Sequence, residues 1–193
     1  GELFTKQVEE ELAYLDMPHV HFLVRHEQVK PGPNGADEIE FLISANPGDR
    51  RAIGEIASGG ELSRIMLAIK NVLSGSDEIG TLIFDEIDTG VSGRAAQKIA
   101  LKLKQVSAGR QVICVTHLAQ IAAQADCHLL IKNRAGGKTY TQVDVLDLRG
   151  EARACPDHGR HGGDHAVAAA KRGGIADGRL EMILKRLILI SKI

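Results

Sequence analysis

Apolar and polar positions recur with different periods along the chain, and the changes of period mark its organisation. Over residues 2–16, Phe4, Val8, Leu12 and Leu15 form a narrow helical stripe, with Lys6, Glu9, Glu10 and Glu11 off it. This predicts a helix ended by Pro18, either the end of a coiled coil or a docked helix. Two alternating runs follow, His19–Val24 and Glu38–Ser44, each with three large apolar residues on one face. The turn-forming run Pro31-Gly32-Pro33-Asn34-Gly35 between them predicts a hairpin-like pair. From residue 57 the period becomes helical again. Leu62, Ile65, Met66, Ile69, Val72 and Leu73 predict a helix over 61–74. Thr81–Phe84, Gln111–Val115 and His128–Ile131 are short, nearly solid apolar runs, separated by helices predicted at about 92–106 and 117–124. Such runs indicate a mostly parallel sheet covered by helices on both faces, an α/β architecture. Tyr140–Leu146 alternates and predicts an added edge strand.

Composition narrows the class. A chain of 193 residues, 44% apolar and 25% charged with net charge −1, can bury its own core and is not disordered throughout. No apolar run reaches the roughly 18 residues a membrane helix needs, and the first twenty residues are acidic with no secretion pattern. Three cysteines do not make a disulfide framework, so a reducing, cytoplasmic setting without a membrane partner is expected. Aromatics at 3% and the absence of Trp argue against a base-stacking nucleic-acid module. Charge is uneven: residues 149–193 carry nine Lys/Arg against five Asp/Glu, whereas residues 1–148 are net negative. The main body therefore has no basic footprint for a phosphodiester backbone.

Three segments carry chemistry. Ala57-Ser58-Gly59-Gly60-Glu61-Leu62-Ser63-Arg64 opens the 61–74 helix. Its glycines admit close backbone approach, and the helix start presents N–H groups and the positive dipole end, an arrangement that suits either an anion or an ordinary N-cap. Thr81-Leu82-Ile83-Phe84-Asp85-Glu86 is an apolar strand ending in two acids, at the strand edge where ligands bind in open α/β sheets. Adjacent like charges oppose each other, so the pair calls for a cation or a special role. Asp85 would hold Mg²⁺ and Glu86 would orient or deprotonate a water. At Val115-Thr116-His117 another strand ends in a histidine placed to sense a phosphate.

In this order the segments resemble the second half of an ABC-type ATPase head: signature, Walker B strand, D-loop and switch histidine. Within that superfamily the wording is similar to the RecN family of SMC-like bacterial DNA repair proteins. The likeness is carried by Ile43–Gly48, Ala57–Ala68, Phe84–Gly93 and Val115–Ala122, and it covers roughly residues 1–148. It implies a P-loop NTPase fold, with residues 1–17 as the end of a coiled coil and 18–148 as the C-terminal half of the head. It further implies that Asp85 is the magnesium aspartate, Glu86 the catalytic glutamate and His117 the γ-phosphate switch. Asp88 would be the D-loop residue crossing a dimer interface, and Ser58, Gly59, Gly60 and Glu61 would belong to the signature that caps the opposite subunit's ATP. The implied function is ATP-driven dimerisation of heads and ATP hydrolysis in recombinational repair of double-strand breaks. The implied partners are ATP, Mg²⁺, DNA ends and a second head, at the nucleoid.

No Gly-x-x-x-x-Gly-Lys-Ser/Thr occurs in the chain. Gly136-Gly137-Lys138-Thr139 lacks the first glycine and leads into an alternating run, so it predicts a hairpin turn. The resemblance assigns the phosphate loop (Walker A) to an N-terminal half, and this chain alone is expected to be inactive. A non-hydrolysing dimerisation module is the first alternative, and Glu86 speaks against it. An ABC transporter's nucleotide-binding subunit is the second, and the wording at 57–64 and 85–91 speaks against that. Residues 149–193 form a Gly/His/Arg-rich tail departing from the family; Leu180–Ile193 is apolar nearly all round and fits a helix. Cys155, His158, His161 and His165 are zinc-capable types at close spacing, set among Gly, Arg and Asp.

Overall fold

The computed structural model describes residues 1–45, 48–56, 58–136, 138–146 and 187–192. The chain divides into two compact units, Gly1–Asp77 and Glu78–Ile193.

The first unit opens with helix α1 (Glu2–Tyr14), whose stripe is buried: Val8, Leu12 and the C-capping Leu15 are fully inaccessible. The helix stops earlier than Pro18 requires, because Asp16 turns the chain in the left-handed region at φ 62°. Strands β1 (His21–Gly32) and β2 (Gly35–Ser44) make an antiparallel hairpin, and β3 (Arg51–Ala52) adds to β2. Both hairpin strands run further than their apolar alternation. Cross-strand polar pairs carry the extension: Arg25 with Glu40, and His26 Nε2 with Asp37 Oδ1 at 2.7 Å. Phe4, Phe22 and Phe41 meet with ring centroids 5.4–5.9 Å apart, joining α1 to the hairpin. Glu9 ties the same join, accepting from the Phe22 backbone N–H at 3.2 Å. A 3-10 turn (Ile53–Glu55) leads to α2 (Gly59–Val72), which packs against α1 and buries Ile65, Leu67, Ala68 and Ile69.

The second unit is built on a five-stranded sheet in the order β4-β5-β8-β6-β7. Its strands are β4 (Thr81–Phe84), β5 (Gln111–Val115), β6 (Cys127–Gly136), β7 (Lys138–Leu146) and β8 (Leu187–Lys192). β4, β5, β8 and β6 are parallel, and β7 closes one edge antiparallel to β6. Helices α3 (Gly93–Val106) and α4 (Ala119–Ala122) follow β4 and β5. The core draws Ala96, Ile99 and Leu103 from α3, Leu82 and Phe84 from β4, and Val112 and Cys114 from β5.

Two expectations change. Residues 187–192 form a strand inside the sheet rather than part of a helix: Leu-Ile-Leu-Ile is apolar on both sides, as a strand flanked by β5 and β6 requires. The run 128–131 lies within a longer, ten-residue arm of the β6–β7 hairpin, whose last pair is Gly136–Lys138, in keeping with the turn expected there. Among the described residues, one face of the sheet carries exposed apolar side chains. Register puts Ile83, Ile113 and Val115 on one face with Leu129, Ile131, Val143 and Val145. On that face Ile83 is 69% exposed and Val143 55%.

Candidate functional site: acids and a histidine at one sheet edge

The parallel pairing of β4 with β5 places Phe84 opposite Cys114. The acid pair following β4 and the Thr116-His117 pair following β5 therefore leave the sheet at the same edge, on strands about 4.8 Å apart. Asp85 and Glu86 are exposed, whereas Ile87 is fully buried and Asp88 is 4% exposed. Ile87 thus pins the loop to the core while the two preceding carboxylates stay in solvent. The loop is held by its own backbone: Thr89 N–H donates to Glu86 O (3.0 Å) and Val91 N–H to Asp88 O (3.2 Å). Glu86 sits at φ 57°, a conformation a side chain of this kind adopts at a cost of roughly 1 kcal/mol or more. Its N–H donates to Asp85 Oδ1 (3.0 Å), which fixes the first carboxylate relative to the second.

Asp88 connects the two strand ends. Its Oδ2 accepts the Thr116 hydroxyl and the His117 backbone N–H at 2.9 Å, and lies 3.0 Å from His117 Nδ1. The His117 side chain itself is 69% exposed. Thr116 Oγ1 also accepts the Leu118 N–H at 3.1 Å, bracing the turn into α4. Burial pushes the Cys114 thiol, behind this edge, up from 9.0 to about 12, with the charges of Asp88 and Asp85 adding to the effect. The cysteine is therefore an inert core residue.

Ser58, Gly59, Gly60 and Glu61 lie in the first unit, at the start of α2. Ser58 is the N-cap, its Oγ accepting the Glu61 N–H at a long 3.4 Å. Ser58 and Gly59 are exposed and Gly60 is buried. In the same unit burial lowers the Arg64 pKa against the opposing pull of Glu61, and the hydrogen bond to Asp49 raises that of Arg51. A concavity of about 380 Å³, lined by residues including Thr5, Glu9, Phe22 and Val24, holds none of the motif residues.

The second unit brings Asp85, Glu86, Asp88 and His117 together. The Asp88 carboxylate faces inward, toward His117. Thr116 is a residue that sequence reasoning gave no role, and the one available signal was its place directly before the histidine. Among the described residues no group of three or more His, Cys, Asp or Glu could hold a metal. The Cys155, His158, His161 and His165 set lies outside the described residues. No described helix is long and apolar enough to cross a membrane.

No family model matches the chain. The DNA repair protein RecN of Treponema pallidum is 48% identical over 161 residues, covering 79% of this chain and 28% of that protein. RecN of Bacillus subtilis is 51% identical over 126 residues, covering 64% and 22%. Among solved structures, the Smc head domain with a coiled coil and joint from Pyrococcus yayanosii matches with a TM-score of 0.55 and 24% identity, over 77% of this chain and 28% of that one. The Smc head from Pyrococcus furiosus, bound to the C-terminal domain of ScpA, matches with a TM-score of 0.53 and 24% identity, over 76% and 35%. At that identity the structural likeness concerns the fold. The chain spans about a quarter of the length of the curated relatives it matches. By sequence the chain is similar to the RecN DNA repair proteins, and its fold is similar to that of Smc head domains.

Proposed function

We propose that this chain is the C-terminal half of an ATP-hydrolysing head that works in the repair of DNA double-strand breaks. The observation that carries the reading is the meeting of Asp85, Glu86 and His117 at one sheet edge, linked through Asp88. The remaining head, with the phosphate loop, comes from an N-terminal half. The open apolar face of the second unit, with Ile83 69% exposed and Val145 41%, supports this, since a face of that kind is stable when another layer covers it.

The residues fit Mg²⁺ and ATP. Asp85 is an exposed hard-oxygen donor, and Mg²⁺ typically takes one or two carboxylates, with water and phosphate oxygens completing its shell. Bound there, the ion would neutralise charge on the phosphates. Glu86, projecting from a fixed loop beside Asp85, would accept the proton of the attacking water. His117, exposed at the next strand end, would meet the terminal phosphate. Ser58 and Gly59, at the start of α2, would face the ATP held by a second head, so that ATP joins two heads and hydrolysis releases them. Helix α1 would belong to the end of the coiled coil joining the two halves. A soluble, nucleoid-associated protein follows from this reading.

The chain alone should not bind ATP tightly. A helix N-terminus contributes about 0.3–1 kcal/mol toward an anion, whereas micromolar affinity needs roughly 8 kcal/mol. Calorimetric titration of ATP into the isolated chain tests this, and micromolar binding would overturn it.

A further inference from the structure

We infer that Thr116 is a positioning residue: its hydroxyl ties the turn that carries His117 to the buried carboxylate of Asp88, and so fixes where residue 117 leaves the sheet. The inference rests on the functional reading above only for the reaction that this placement serves. Asp88 Oδ2 accepts the Thr116 hydroxyl and, at 2.9 Å, the His117 backbone N–H. A carboxylate only accepts, so the hydroxyl hydrogen goes to Asp88. A lone pair of Thr116 Oγ1 is then left for the Leu118 N–H, at 3.1 Å. Thr116 and Asp88 are both buried, so water competes little for these bonds.

The two sides of the tie differ in what holds them. The loop after β4 is anchored by the fully buried Ile87 and by its own backbone bonds from Thr89 and Val91. The turn after β5 leads into α4, a helix of four residues, too short to hold its shape unaided. Its N-cap, Leu118, makes no side-chain cap. Thr116 supplies a fixed point from outside the helix, and the anchored loop after β4 is the reference against which His117 is set. The β-branch of threonine restricts its rotamers and so holds the hydroxyl ready for both bonds. Valine has nearly the same shape without the hydroxyl, and serine keeps the hydroxyl without the methyl group.

Two measurements test this. In the full chain, amide hydrogen exchange is followed by NMR at Leu118 and, as a reference for global opening, at the fully buried Val112. In Thr116→Val the Leu118 N–H should exchange about 2- to 10-fold faster relative to Val112, and in Thr116→Ser the ratio should stay as in the wild type. An unchanged ratio in Thr116→Val would overturn the inference. In the complete head, Thr116→Val should lower kcat for ATP about 10-fold or more with KM little changed, since a displacement of an ångström costs up to about 10²-fold. Thr116→Ser should run close to wild type. In a His117→Ala background Thr116→Val should add little further loss, because it acts through residue 117. Equal losses with serine and valine, or losses additive with His117→Ala, would overturn the inference. A wild-type head without turnover would overturn the functional reading instead, and the exchange ratio then decides the role of Thr116.

Discussion

Replacing Glu86 by Asn should make the chain more stable while removing the group proposed to act on water. Glu86 is held at φ 57°, where a non-glycine residue sacrifices roughly 1–2 kcal/mol relative to an ordinary conformation. Asn is among the residues that tolerate this region best. Glycine would tolerate it too, but its greater freedom in the unfolded chain returns about 0.5–1 kcal/mol. Loss of the carboxylate also removes its repulsion with Asp85, a small gain at this exposed position. The backbone bonds that hold the loop, from Glu86 N–H to Asp85 and from Thr89 N–H to Glu86 O, survive the exchange. A net stabilisation of about 0.5–1 kcal/mol results. With an m-value of about 2 kcal/mol/M in urea, the unfolding midpoint should rise by roughly 0.3–0.5 M. Glu78→Asn, another exposed acid but not at positive φ, is the control and should leave the midpoint within about 0.2 M. If Glu86→Asn lowered the midpoint, the strain ascribed to this loop would be wrong. The gain with loss of activity would mark a residue kept for chemistry at the expense of stability.

Three further outcomes are expected. In the complete head Glu86→Gln should slow ATP turnover by about 10²–10⁴-fold while leaving ATP binding intact; near-normal turnover would remove Glu86 as the base. Ser58→Ala should cost about 0.5–1 kcal/mol of stability in urea melts, the low end for an N-cap because its bond to the Glu61 N–H is long at 3.4 Å. The Cys114 thiol is raised from 9.0 to about 12, so the stability of its neutral form is complete below pH 9 and is lost as pH climbs toward 12. Between pH 8 and pH 10 the wild-type chain should therefore lose about 1 kcal/mol more than Cys114→Val in parallel urea melts, and equal losses would place the thiol in a wetter setting.

How far sequence reasoning reached differs from element to element, for physical reasons. β4 and β5 fall where their apolar runs lie, because each is short and bounded by turn formers. α2 and α3 match their helical stripes within two residues. The shared edge of the acids and the histidine followed from parallel pairing, since both motifs sit directly after strands. The hairpin in the first unit is longer than its apolar alternation because polar pairs such as His26 and Asp37 extend it, and those carry no hydrophobic period. β8 escaped because a fully apolar segment has no period to separate strand from helix; its neighbours in the sheet decided. The inward turn of Asp88 escaped as well. Nothing in a run of Asp85-Glu86-Ile87-Asp88 tells which carboxylate is exposed, and only the burial of Ile87 and the donors at Thr116 and His117 settle it.

The most direct measurement combines this chain with a polypeptide carrying the phosphate loop and the remainder of the head, and follows Mg²⁺-dependent release of phosphate from ATP. The account predicts turnover from the combination, none from either part alone, and a fall of about 10²–10⁴-fold with Glu86→Gln. Turnover by the isolated chain, or turnover of the combination that ignores Glu86→Gln, would contradict it.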